Sequence, residues 1–307
     1  MTKGALSRAL DARGVLLLDG GFATALEANG IDLSSTLWSA PVILENPDAV
    51  VDVHADYLRA GADCITTASY QVTFEGFERA GRSRADAEEA LRRATELALR
   101  ARDAVAPHAL VAASVGPFGA SRADGSEYHG RYGVPVDEVR RLHEERLGIL
   151  VESGPDVLAC ETIPDIDEAE VLLSLLAQLP DASAWMTFTC RDAEHISDGT
   201  PLREVVARCG DVDQVEAVGV NCVAPELAPA VVESIRAETD VPVIVYPNSG
   251  ERWDPIDRVW RDYGWAAEAW LDHMRDTVTA GARIVGGCCR TDPHWIGRLR
   301  SEVLARD

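Results

Sequence analysis

Eight short apolar runs, each followed by a segment of helical periodicity, constrain this chain more than any other feature. The runs are Val15–Asp19, Cys64–Thr67, Leu110–Val115, Val157–Glu161, Ala184–Thr189, Ala217–Asn221, Val243–Pro247 and Ile284–Gly287. Several are apolar on both faces, as expected of parallel strands buried between layers. The helical segments between them are Asp48–Ala60, Arg82–Val105, Val136–Glu152, Ile166–Leu179, Leu202–Cys209, Glu226–Glu238, Trp265–Ala280 and Pro293–Leu304. Strand then helix, eight times, predicts an α/β fold of one kind: a single (β/α)8 TIM barrel. A doubly wound sheet would carry a glycine-rich phosphate fingerprint after its first strand, and DGGFAT at 19–24 does not fit one. No Pro/Gly/Ser linker or charge run divides the sequence, so one domain is expected over residues 1–307.

The connections are unequal. Helix-to-strand turns are short. Strand-to-helix segments are long at Gly20–Pro47, Gly116–Pro135, Cys190–Thr200 and Asn248–Tyr263. In a barrel all of these rise from the C-terminal face, where active sites sit. Charge narrows the partners. Lys plus Arg is 29 against 51 Asp plus Glu, a formal charge of −22. So acidic a chain is not expected to bind nucleic acid or an anionic membrane non-specifically. No apolar run approaches the roughly 18 residues of a spanning helix. The start lacks the apolar stretch of a signal peptide, and a cytoplasmic protein is expected. The sequence gives no oligomeric state.

Polar residues gather where the strands end. Asp19 closes the first run, Thr66 and Thr67 the second, and Glu161 the fourth. Asn221 and Cys222 close the sixth, Asn248 follows the seventh, and Cys288 with Cys289 follow the eighth. Runs six and eight flank run seven in a barrel, so the three cysteines converge on one rim. Three thiolates suit zinc, and a three-ligand site leaves a fourth position for substrate or water. The competing readings are small buried core residues and a vicinal disulfide, the latter disfavoured in a reducing cytosol. The Gly286-Gly287 pair is expected to let the backbone turn tightly and bring both thiols to one point. Asp19 and Glu161 suit either binding of a substrate ammonium group or proton transfer, against capping or ion pairing. Trp38, Tyr70 and Trp253 lie in long loops, where rings could hold a cation or simply pack. No histidine has the spacing of a metal motif or of a nucleophile's base.

These motifs strongly resemble the homocysteine S-methyltransferases, in their stand-alone bacterial and plant form that uses S-methylmethionine. The resemblance runs over nearly the whole chain. It is carried by LLDGGFATALEANG at 17–30, YLRAGADCITTASYQVTFEGF at 57–77, DGSEYHGRY at 124–132 and ETIPD at 161–165. GVNCVAP at 219–225, VYPNSGERWD at 245–254 and GGCCRTDP at 286–293 complete it. One loop departs from the pattern, reading SSTLWSA where relatives often have Asp-Pro before Leu-Trp. The resemblance implies a (β/α)8 barrel and a zinc ion held by Cys222, Cys288 and Cys289. It further implies that Asp19 and Glu161 grip the homocysteine amino group, with Gly20, Gly21 and Thr66 completing that pocket. Asn221 and Asn248 would shape the metal surroundings, and Trp38 stays in its place in the loop.

The expected reaction is transfer of a methyl group from a sulfonium to homocysteine, giving methionine. S-methylmethionine is the first choice of donor and S-adenosylmethionine the second. The sequence stops right after the eighth helix, so a small diffusible donor is expected rather than a folate or cobalamin module. Two other readings stay open. The same barrel could methylate another thiol or a selenol, such as selenohomocysteine or selenocysteine. It could also be a silent barrel that binds an amino acid, although no rim cysteine or carboxylate has been lost.

Overall fold

The computed structural model describes residues 4–33, 37, 39–122, 124–254, 259–261 and 266–305. Its main sheet has eight parallel strands: β1 (Leu16–Leu17), β2 (Cys64–Thr66), β3 (Leu110–Val115), β4 (Val157–Ile163), β5 (Ala184–Phe188), β6 (Val215–Asn221), β7 (Val243–Tyr246) and β10 (Ile284–Val285). Each pairs with its neighbours in chain order, and β10 pairs with both β7 and β1. The remaining gap closes through a parallel bridge between Leu18 and Cys64. Asp63 N donates to Leu17 O at 2.7 Å, and Asp19 N donates to Cys64 O at 3.1 Å. The sheet is therefore a barrel, as the eightfold alternation predicts.

Two shells of apolar packing follow from the strand alternation. Leu16, Leu18, Cys64, Ala112, Ala159, Trp185, Ala217 and Ile244 fill the barrel interior. Leu17, Ile65, Val111, Val115 and Val220 face outward onto the helices. The interior is plugged by a helix the periodicity argument passed over, Ala5–Arg13. Its Leu6 and Leu10 are buried among the interior residues, and Ser7 N donates to the Glu216 carboxylate at 2.6 Å. Asp63 ties this region together, accepting from Leu17 N at 2.9 Å and from Arg13 at 2.7 Å.

The outer helices start where the sequence supplies caps. Ser83 and Asp86 form a reciprocal capping box at the start of Arg84–Val105. Asp165 accepts from the amides of Asp167 and Glu168 at the start of Ile166–Leu176. Asp292 caps Pro293–Glu302 with Pro at its first turn. The expected Glu226–Glu238 helix begins instead as a tight turn over Pro225–Leu227 and runs as Ala228–Arg236. The long rim segments carry structure of their own, including Phe22–Ala28 and the antiparallel hairpin β8 (Arg252–Asp254) and β9 (Val259–Arg261). Among the described residues no helix is long and apolar enough to cross a membrane.

Candidate functional site

The three rim cysteines meet. Cys222 follows β6, Cys288 and Cys289 follow β10, and their sulfurs lie within 4.8 Å of one another. Cys222 Sγ and Cys289 Sγ are 3.9 Å apart. Two sulfurs sharing a tetrahedral zinc at about 2.3 Å would stand roughly 3.8 Å apart. Donor set and spacing thus fit a metal ion that prefers thiolates. All seven cysteines are free, and these three are half-buried. Hydrogen bonds from Cys222 and Cys288 hold Cys289 well below the usual thiol range, while the other two thiols are raised, so one sulfur of the three is favoured as thiolate.

The backbone around the cluster is fixed from several directions. Cys222 adopts φ 51°, a left-handed conformation rare for a side chain of its kind. Its amide donates to Tyr246 O at 3.3 Å, and Cys288 N donates to Pro247 O at 2.8 Å. The Asn248 side chain accepts from Cys289 N at 3.2 Å, while Asn248 N donates to Val223 O at 3.0 Å. Asn248 therefore joins the two cysteine loops. The Gly286-Gly287 pair works differently from the tight turn expected, since neither residue has positive φ. What they allow is close packing: a Cβ on Gly287 would come within 2.1 Å of Thr291 Oγ1. That hydroxyl donates to Cys288 O at 2.6 Å, which locks the turn carrying the thiols.

Two buried carboxylates stand beside the sulfurs. Asp19 is 3% exposed and accepts from Thr66 N at 2.7 Å and from Thr66 Oγ1 at 3.1 Å. Burial pushes its carboxyl well above the usual range. Glu161 is 8% exposed and accepts from Tyr246 OH at 2.9 Å and from Ser114 Oγ. Burial raises it to about 7, against the hydrogen bond from Ser114, and the Cys288 sulfur raises it further. Among the described residues neither carboxylate has a Lys or Arg partner. Buried carboxylates without a cation are costly, and such a pair marks a place for a ligand's positive charge. Gly20 and Gly21 line the same corner. Gly21 N donates to Thr291 O at 2.8 Å, and Tyr57 OH bridges Gly21 O and Thr291 O at 3.0 Å each.

Asn221 acts one step further back than the metal surroundings assigned to it. Its side chain grips Thr162, the residue after Glu161, rather than a cysteine. The other expected rim residue, Trp38, lies outside the described residues, as does the side chain of Trp253. Sequence reasoning passed over Ser114 and Tyr246, which point from β3 and β7 to Glu161. Their signal was present in the strand alternation, since residues two apart share a face. It also passed over Tyr128, whose phenol is raised by burial and by the nearby Cys289 and Cys222. Two buried histidines have partners outside the thiol cluster: His143 Nε2 pairs with Glu168 at 2.7 Å, and His54 lies on Phe22 with ring centroids 5.1 Å apart.

Residues 16–303 match the family model described as homocysteine S-methyltransferase. The chain belongs to the homocysteine S-methyltransferase family. It is 46% identical over 298 residues to the homocysteine S-methyltransferase of Escherichia coli (strain K12), covering 95% of this chain and 96% of that one. It is 38% identical over 314 residues to a selenocysteine Se-methyltransferase of Brassica oleracea var. italica, covering 95% and 90%. The crystal structure of the homocysteine methyltransferase MmuM from Escherichia coli, in its metallated form, superposes with a TM-score of 0.87 at 44% identity, covering 96% of this chain and 99% of that one. The fold, the three-cysteine rim and these likenesses all fall on one family of methyltransferases.

Proposed function

We propose that this chain moves the methyl group of a sulfonium donor onto homocysteine, with zinc held by Cys222, Cys288 and Cys289. S-methylmethionine is the preferred donor and S-adenosylmethionine the lesser one. The observation that carries the reading is the meeting of three sulfurs within 4.8 Å with two buried carboxylates that have no Lys or Arg partner among the described residues. Zinc, when bound, would keep the acceptor sulfur ionised and nucleophilic at neutral pH.

The chain's own residues supply position. Asp19 and Glu161 receive the homocysteine ammonium group, which provides the positive charge their burial lacks. Ser114 and Tyr246 hold Glu161 in orientation by donating to it. Thr66 does the same for Asp19. With the amino acid fixed at one end, its sulfur is delivered to the cysteine cluster at the other. The acceptor sulfur forms its bond to the methyl carbon as the donor's carbon–sulfur bond breaks. The bonding pair stays on the donor sulfur, which leaves as a neutral thioether. No proton has to be delivered to that leaving group. A reducing cytoplasm suits a centre of free thiols.

The 38% likeness to a selenocysteine Se-methyltransferase favours a second acceptor class, a selenol in place of the thiol. One assay tests both readings. Homocysteine, selenohomocysteine and selenocysteine are each offered S-methylmethionine, S-adenosylmethionine and betaine, with bound metal quantified on the same sample. Methionine from homocysteine and S-methylmethionine, with about one zinc per chain, is expected. Full activity in metal-free protein would remove zinc from the reading.

A further inference from the structure

Each of the two cysteine loops carries a residue in left-handed backbone: Cys222 at φ 51°, and Arg290, directly after Cys289, at φ 65°. A residue with a side chain keeps such a conformation where its surroundings over-determine it. Arg290 is held three ways. Its amide donates to Thr24 Oγ1 at 2.9 Å, in the first turn of the rim helix Phe22–Ala28. Its Nε donates to the Glu251 carboxylate at 2.8 Å. Its Nη1 lies 3.5 Å from the carboxylate of Glu27, near the far end of the same rim helix. The Glu251 pair is the stronger of the two, because Glu251 is 19% exposed against 46% for Glu27, and a long, exposed pair contributes little.

Glu251 ends a short segment that is already bonded to the cysteine turn. Asn248 Oδ1 accepts from Cys289 N, and Ser249 N donates to Cys289 O at 3.1 Å. Glu251 N reaches back to Ser249 Oγ at 3.5 Å, and Ser249 is buried. On the other side Gly21 N donates to Thr291 O, and a Cβ on Gly21 would come within 2.8 Å of Cys288 O. The turn from Cys288 to Thr291 is thus wedged between the segment after β7 and the segment after β1. The Arg290 side chain spans both.

We propose that Arg290 is a positioning residue: by clasping Glu251 and Glu27 it holds both segments on the cysteine turn and keeps Cys288 and Cys289 set for a metal ion before one binds. This rests on the thiol-bound metal of the reading above. A turn ordered in advance spares the binding step the entropy of ordering it. Loss of the clasp therefore falls on metal affinity, while the loaded site, pinned by its ligands, keeps its kcat.

The test compares the full chain with Arg290→Gln, Glu251→Gln and the two together. In the metal-free proteins, hydrogen exchange read by mass spectrometry is expected to quicken at least about fivefold over residues 248–251 and 288–291, with the exchange of β3 to β6 unchanged. Zinc affinity, read by competition with a chelator, is expected to fall about tenfold in each single variant and at most about twofold further in the double. The zinc-saturated variants should keep kcat and homocysteine KM within about twofold. Arg290→Lys carries a cation with one donor head in place of the two-pronged guanidinium, and it serves if Arg290→Gln does not fold. It is expected to lose affinity by a factor between those of wild type and Glu251→Gln. Unchanged exchange over 248–251, single effects that simply add, or faster exchange throughout the barrel overturns the clasp. A wild-type chain that binds no zinc overturns the metal reading instead, and the exchange comparison, made without metal, still decides whether Arg290 orders the turn.

Discussion

Asn221 holds Thr162 at both ends: its Oδ1 accepts from Thr162 N at 2.8 Å and its Nδ2 donates to Thr162 Oγ1 at 2.7 Å. Thr162 needs the grip, because it sits at φ 63° where the β4–β5 register shifts between Cys160 and Ile163. Glu161, on the same face of β4 as the interior residues Val157 and Ala159, directly precedes Thr162. Asn221→Ala frees the strained residue and lets Glu161 swing. We expect homocysteine KM to rise about tenfold or more, since small misplacements near reacting groups are costly. Bound metal, quantified on the same sample, should stay near the wild-type amount, because the Asn221 side chain bonds Thr162 and, among the described residues, no cysteine.

Asn248 gives the opposite pattern. Its side chain fixes the Cys289 amide and its own amide reaches the Cys222 loop. Partners that orient ligands typically carry a factor of about 10–100 in metal affinity. With the proposed zinc loaded, Asn248→Ala should lose metal in competition with a chelator at that level, with homocysteine KM in metal-saturated protein changed far less. Cys288→Ser, which removes a sulfur outright, should abolish stoichiometric metal binding.

Much of this was legible in the sequence, for physical reasons that differ by residue. Barrel strands repeat, so eight apolar runs could be counted, and strand ends fall on one rim, so Cys222 and Cys288 could be brought together without coordinates. The Ala5–Arg13 plug was invisible because it breaks the alternation and seals the interior mainly through Leu6 and Leu10, with Ala5 and Ala9 beside them. Tyr246 and Ser114 read as ordinary strand residues, since nothing local marks which strand neighbour will need a hydroxyl. The resemblance places Asn221 in the metal surroundings, while its side chain bonds Thr162, 59 residues away in sequence and two strands away in the barrel.

Glu161 should couple stability to pH. Burial raises its folded carboxyl to about 7, against an ordinary value near 4.5. Between those values the folded state holds the proton more tightly than the unfolded chain. Unfolding free energy should therefore fall as pH rises from about 4.5 to about 7. Glu161→Gln removes the ionisable group. Urea titrations at pH 5 and 8 should show the variant gaining stability relative to wild type at the higher pH, by roughly 1–3 kcal/mol. If Glu161 is one of two counter-charges to the homocysteine ammonium, as proposed, the homocysteine KM of the variant should rise at least about tenfold. A variant that is no more stable at pH 8 than at pH 5, relative to wild type, would show that a cation already neutralises Glu161.

His54 gives the reverse slope. It is fully buried on the Phe22 ring, and neither ring nitrogen has a hydrogen-bond partner among the described residues. Burial lowers its folded pKa from 6.5 to about 3. The unfolded chain takes up the proton first, so this residue lowers stability as pH falls from about 6.5 towards 3. Its two unpaired nitrogens also cost free energy at neutral pH. His54→Phe keeps the ring contact with Phe22 and removes both costs. We expect a gain of about 1–2 kcal/mol at pH 7.5 and a larger one at pH 5, measured by urea unfolding. Because His54 lies in the outer helix Pro47–Arg59 and not at the thiol rim, kcat and metal content should be unchanged. A variant less stable than wild type at both pH values would mean that the packed ring tolerates no extra volume there, and that the histidine was retained for fit alone.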